Sequence, residues 1–179
     1  MVSTSIFPDG YPELLEFLKR EISAARTRAA LAVNDELIGL YWRIGKEILA
    51  REESEGWGAK VVSRLSRDLR STFPEMTGLT ERNLRYMRDF ARPWPDQAML
   101  PQAVAKIPWG HIRCLLDKLN DQEARLWYAE RTVEQGWSRK LLEHHIASGR
   151  YEREGRALTN FSNAVPAAEE DVPAGVEFW

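Results

Sequence analysis

"GAKVVSRLSRDLRSTFPEMTGLTERNLRYMRDFAR", residues 58–92, carries two amphipathic helical patterns separated by a break. At ~100° per residue, Val61, Val62, Leu65, Leu69 and Phe73 collect on one side of the first pattern, with Lys60, Arg64, Arg67 and Arg70 broadly on the other. Pro74 and Gly78 interrupt the chain, and Thr80 is placed to cap the next helix with Glu81 in its first turn. On that helix Leu84, Met87, Phe90 and Ala91 make a buried stripe, and Arg82, Arg85, Arg88 and Arg92 spread over the opposite arc. Residues 57–92 hold eight Lys or Arg against four Asp or Glu, whereas the whole chain has a net charge of −2. A local excess of that kind suits a nucleic-acid face, because phosphate contacts dominate such affinity. Arg82 and Asn83, near a helix start, are side chains able to reach base edges in a major groove. The same charges also suit a solvated outer face, since Glu81 and Asp89 lie at pairing distance along the helix.

Outward from this segment the helical pattern continues. Leu14, Leu15, Leu18, Ile22, Ala25 and Ala29 predict a helix from Tyr11 to about Ala32. Asn34 reads as the N-cap of a second one carrying Leu37, Ile38, Tyr41, Trp42, Ile44, Ile48 and Leu49, ending in the charged "REESEG" stretch. On the other side, Pro93 and Pro95 stop the arginine-bearing helix, and residues 93–109 read as a loop with one helical turn. Three shorter helices follow, over 109–119, 121–135 and 138–149. Asn120 or Asp121 and Ser138 serve as caps and Gly136 as a stop. Ile112, Leu115, Leu116, Leu119, Leu126, Trp127, Val133, Trp137, Leu141, Leu142 and Ile146 are candidate core residues of this part. From Arg150 to Trp179 three Arg stand against five Glu and one Asp, in a polar, Pro-bearing stretch. With no strand alternation, the expected fold is all-α: a helical bundle with two helix-turn-helix-like units and an irregular C-terminal tail. The expected domain covers 11–150, with sub-parts 11–95 and 105–150, and 151–179 is a linker or tail.

Composition bounds the function. A hydrophobic fraction of 44% and a charged fraction of 29% are those of a globular protein. One cysteine, Cys114, allows no internal disulfide and no thiolate metal site. The N-terminus lacks the pattern of a secretory signal, and no stretch approaches the ~18 apolar residues of a membrane span, so a cytoplasmic protein without membrane contact is expected. Phosphate loops, nucleophile elbows and paired-histidine zinc motifs are missing from the sequence. Pro8-Asp9 and Pro95-Asp96 are not followed by a strand bearing the acid and lysine that a metal-dependent nuclease needs. His144 and His145 are adjacent and diverge by ~100° on a helix, and His111 after Gly110 suits a cap. No cofactor, metal or catalytic residue is expected.

The runs "YWRIG" at 41–45, "GWG" at 56–58, "RNLRYMRDF" at 82–90, "PW" at 108–109, "GWS" at 136–138 and "LTNF" at 158–161 occur together in an order that resembles the N-terminal domain of bacterial YhcG-type proteins. The resemblance covers about residues 14–166. The family usually has serine where this chain has Gly110 and an aromatic where it has Ala91. Members typically continue into a PD-(D/E)xK nuclease domain, and this chain stops at about the point where that domain would begin. The resemblance thus implies a DNA-binding or targeting module, not itself an enzyme, with the helix from Arg82 to Arg92 as a contact surface. The stretch 109–146 is also similar in pattern to the helix-turn-helix region of ParB-type partition proteins, which would put Gly110, His111, Arg113, Arg139 and Lys140 near a nucleic-acid surface. The candidate contact set is Lys60, Arg64, Arg67, Arg82, Asn83, Arg85, Arg88, Arg92, Arg139 and Lys140. The expected partners are double-stranded DNA, a second copy in a homodimer, and a nuclease domain or subunit. The alternative is a protein-interaction or dimerisation module with no direct nucleic-acid contact.

Overall fold

A computed structural model of the chain describes residues 10–155, apart from residue 57. Among the described residues the regular structure is entirely helical, in keeping with the all-α expectation. The elements are α1 (Tyr11–Glu55), α2 (Ala59–Thr72), α3 (Glu81–Ala91), a 3-10 turn (Gln97–Met99), α4 (Gln102–Lys106), α5 (Trp109–Lys118), α6 (Gln122–Gln135), α7 (Arg139–Ala147) and a closing π turn (Tyr151–Gly155). None of the described helices is long and apolar enough to cross a membrane.

Three of the caps read from sequence are formed. The Thr80 side chain accepts from the Asn83 N–H, Asp121 from the N–H groups of Glu123 and Ala124, and Ser138 from that of Leu141. Each satisfies a donor that a helix start would otherwise leave open. Gly136 ends α6 in the left-handed conformation, at φ 64°.

One boundary falls differently. The two helices expected over 11–32 and from Asn34 are a single 45-residue helix, α1. Asn34 does not cap it. Its amide instead donates to the carbonyl oxygens of Ala105, Lys106 and Ile107 at 3.3–3.4 Å, closing the C-terminal end of α4. With its side chain spent on a distant segment, nothing at Asn34 competes with helical continuation. The consequence divides α1 in two. Residues 11–33 are exposed throughout, whereas Ile38, Tyr41, Trp42, Ile48 and Leu49 are buried.

The buried half of α1 crosses α3 at very short range. A Cβ on Gly45 would lie 2.0 Å from the Met87 carbonyl oxygen and 3.0 Å from the Ala91 methyl. Around that crossing one cluster joins Tyr41, Ile48, Val62, Leu84 and Met87. A larger one runs from Ile38, Trp42 and Leu49 through Phe90 and Ala91 to Val104, Ile107, Ile112, Leu115, Tyr128 and Leu142. Residues from both 11–95 and 105–150 therefore line the larger cluster. Trp109 links the two clusters edge-on, with its ring centroid 4.8 Å from Tyr41 and 5.6 Å from Phe90. The core also reaches one residue beyond the boundary expected at 150: Tyr151 is buried, and its N–H donates to the Tyr128 hydroxyl at 3.0 Å. The rest of the expected tail, 156–179, lies outside the described residues.

Some candidate core residues are exposed. Val133 and Leu141 face outward at 41% and 42%, and Phe73 of the α2 stripe at 44%.

Replacing Gly45 with alanine should lower unfolding free energy by about 3 kcal/mol, since the obstructing atoms are backbone and cannot rotate away. Gly110→Ala meets nothing closer than Arg139 Cδ at 3.8 Å. It should raise stability by about 0.5 kcal/mol through helix propensity. Urea denaturation of the two variants beside the parent measures both.

Candidate nucleic-acid interface

The ten candidate contact residues divide by what their side chains already hold. Lys60, Arg64 and Arg67 stand on the outer face of α2 and are exposed, with Arg64 paired to Asp68 at 3.3 Å across one helical turn. Arg82 and Arg85 are exposed on α3, and Arg85 pairs with Glu81. Arg92, also exposed, lies 3.8 Å from Asp89. Arg139 and Lys140 open α7 and are exposed, with Arg139 3.8 Å from Glu143. Such exposed pairs are worth on the order of 0–1 kcal/mol and release readily to a stronger anion.

Two residues of the set are committed inward. Asn83 donates from Nδ2 to the Gly78 carbonyl at 3.0 Å and accepts the Trp109 indole N–H at 3.3 Å. It ties the turn before α3 to the start of α5. Arg88 is half-buried and bridges helices, with Nη1 3.1 Å from Glu52 Oε1 of α1 and Nε 2.9 Å from Asp89. The hydrogen bond to Asp89, reinforced by Glu52, holds its guanidinium above the ordinary arginine value despite the opposing effect of burial. Both residues are thus held in the packing between helices.

The α5 helix sits between α3 and α7 and brings the remaining cations into relation. Tyr86, one turn after Arg82, is the pivot. Its hydroxyl accepts from Arg82 Nη2 at 3.0 Å and donates to Asp117 of α5. The guanidinium of Arg113 lies over its ring at 5.0 Å, and that of Arg82 at 5.5 Å. The bond to Tyr86 pushes the Arg82 guanidinium above its ordinary value. Arg113 Nε is buried without a hydrogen-bond partner among the described residues. At the start of the same helix, Gly110 packs against the Arg139 stem, and Gly110, His111, Ser138, Arg139, Lys140 and Glu143 line one shallow pocket. His111 is fixed there by a 2.9 Å hydrogen bond between Nε2 and the Trp137 carbonyl oxygen.

The arginine row on α3 is therefore not one uniform face: Arg88 turns to α1 while Arg82 turns to α5. Tyr86 is the contributor that the charge pattern alone did not reveal. Its signal in sequence is its spacing of four residues from Arg82. Cys114 is buried, and desolvation pushes its thiol up and away from reactivity. Among the described residues, no group of three or more His, Cys, Asp or Glu side chains is disposed to hold a metal ion.

Comparison with known proteins gives the sequence a family. The family model described as the DUF1016 N-terminal domain matches residues 17–153. The Escherichia coli (strain K12) protein named "Putative nuclease YhcG" is 28% identical over 178 residues, covering 80% of this chain and 46% of that relative. The chain thus spans about half the length of the curated relative it matches. The comparison with solved structures finds no match.

The division of the cations carries a stability test. Asn83→Ala strands the Trp109 indole N–H and the Gly78 carbonyl and should cost about 1–2 kcal/mol. Arg82→Ala, at an exposed charge, should change the urea midpoint hardly at all, and equal losses in the two variants would contradict this assignment.

Proposed function

The chain belongs to the DUF1016 N-terminal domain family, and from that footing we propose that it is the DNA-binding or target-recognition module of a nuclease-linked system, without a catalytic site of its own. The nuclease reading is borrowed from the name of the Escherichia coli relative. The cleavage chemistry is assigned to a nuclease domain or subunit that acts with this module in the cytoplasm.

The observation that carries the binding proposal is the arrangement about α5. Arg82 and Arg113 share the Tyr86 ring, and at the start of α5 Arg139 packs against Gly110, with Lys140 lining the same shallow pocket. Guanidinium groups held by aromatic contact keep donors in a fixed fork, which suits phosphate. The three-residue break between α6 and α7 supports a helix-turn-helix-like reading, in which the second helix would present Arg139 and Lys140 at its N-terminal end. Lys60, Arg64, Arg67, Arg85 and Arg92 extend the proposed surface as phosphate contacts of lower order. Asn83 and Arg88 serve it indirectly, by fixing α3 against α5 and α1.

Double-stranded DNA is the proposed ligand, and the test is binding of the full chain to a labelled duplex over a salt series. Affinity should fall steeply with salt. In an Arg82→Ala, Arg139→Ala, Lys140→Ala variant the log–log slope should flatten by about 3. A folded parent protein that fails to bind at low salt would leave the protein-interaction or dimerisation reading in place of this one.

A further inference from the structure

The exposed half of α1 has a pattern that the packing among the described residues does not use. Leu15, Leu18, Ile22, Ala25, Ala29 and Ala32 follow one another at strict three- and four-residue spacing, the repeat of a coiled-coil seam. Leu15, Leu18 and Ile22 are exposed at 37%, 44% and 58%. At ~100° per residue this seam lies roughly 150° around the helix from Ile38, Tyr41, Gly45 and Ile48, the residues that seat α1 on the body. It is therefore not the core stripe running on past the end of the core. A partner lying along the seam meets the arm on the side away from the body, where the body does not obstruct it. Beyond Ala32 that outer face turns charged, with Glu36 and Arg43 paired to each other at 2.8 Å, and the seam ends.

We propose that this arm pairs in parallel and in register with the same arm of a second copy of the chain. The flanking charges choose both partner and direction. In the parallel pair Glu21 faces Arg26 of the second copy on both sides of the two-fold axis, and no like charges meet. In the antiparallel register that keeps all six seam layers, the Glu21–Arg28 attraction is offset by Lys19 facing Arg26 of the second copy, a like charge. The seam is thus self-complementary in one orientation. Pairing also accounts for the exposure of Leu15, Leu18 and Ile22 on a long helix, since helices in water owe most of their stability to packing.

The test uses the full chain without DNA, so its outcome is independent of the nucleic-acid proposal. Sedimentation equilibrium at about 100 μM should give twice the 20.6 kDa chain mass. Leu18→Asp combined with Ile22→Asp should give the single-chain mass with an unchanged thermal transition of the body, because neither residue packs into it. Ala32→Cys should form a disulfide between copies under mild oxidation, as parallel arms bring the two sites together and antiparallel arms hold them far apart. A monomeric parent, a double variant that still dimerises, or an Ala32→Cys dimer whose introduced thiols do not cross-link would each overturn the proposal.

Discussion

The approach of α1 to α3 at Gly45 sets the rest of the molecule. With a glycine there, the Met87 carbonyl can sit where a Cβ would be, only 2.0 Å from that position. The helices close to backbone contact, and the layers above and below follow. Tyr41, one turn earlier, comes to rest against Gly78, where a Cβ would meet its hydroxyl oxygen at 2.1 Å. Trp42 donates its indole N–H to the Trp94 carbonyl at 3.2 Å, and Glu52, two turns later, meets Arg88. A helix pair held one methyl further apart would loosen each of these together, because packed interiors do not deform gradually.

The same crossing explains the character of the cationic surface. Arginines on one short helix have different fates according to which neighbour they reach. Arg88 is drawn across to α1 and becomes part of the frame, whereas Arg82 leans on Tyr86 and, with Arg113, builds a small stacked group over α5. Net charge therefore says little about this protein. The chain is slightly acidic as a whole, and its distinguishing electrostatic feature is how firmly a few cations are held.

Much of this was legible in sequence, for a definable reason. Thr80, Asp121, Gly136 and Ser138 act on their own neighbours within four residues, so their roles follow from local rules. Asn34 carries the same cap chemistry but spends it 71–73 residues away, on the end of α4, which no local rule reveals. The arginine row fails similarly. Its helical spacing was correct, but Asn83 and Arg88 are claimed by Trp109 and Glu52 from other elements. The apolar stripe of residues 14–29 is the reverse case. The helical period of the stripe holds, and burial does not follow, because the stripe faces away from the core that the described residues form.

Because α1 is unbroken from Tyr11 to Glu55, it also works as a phase ruler. One residue inserted near position 33 would swing the arm by ~100° and advance it ~1.5 Å relative to the body. Whatever the arm touches would then be presented at a new azimuth. Length variants that keep the azimuth come in steps of three or four residues, and of seven when the seam must also stay in step. The spectrum of insertions and deletions that the junction tolerates is thus set by helical pitch, while loop insertions elsewhere carry no such arithmetic.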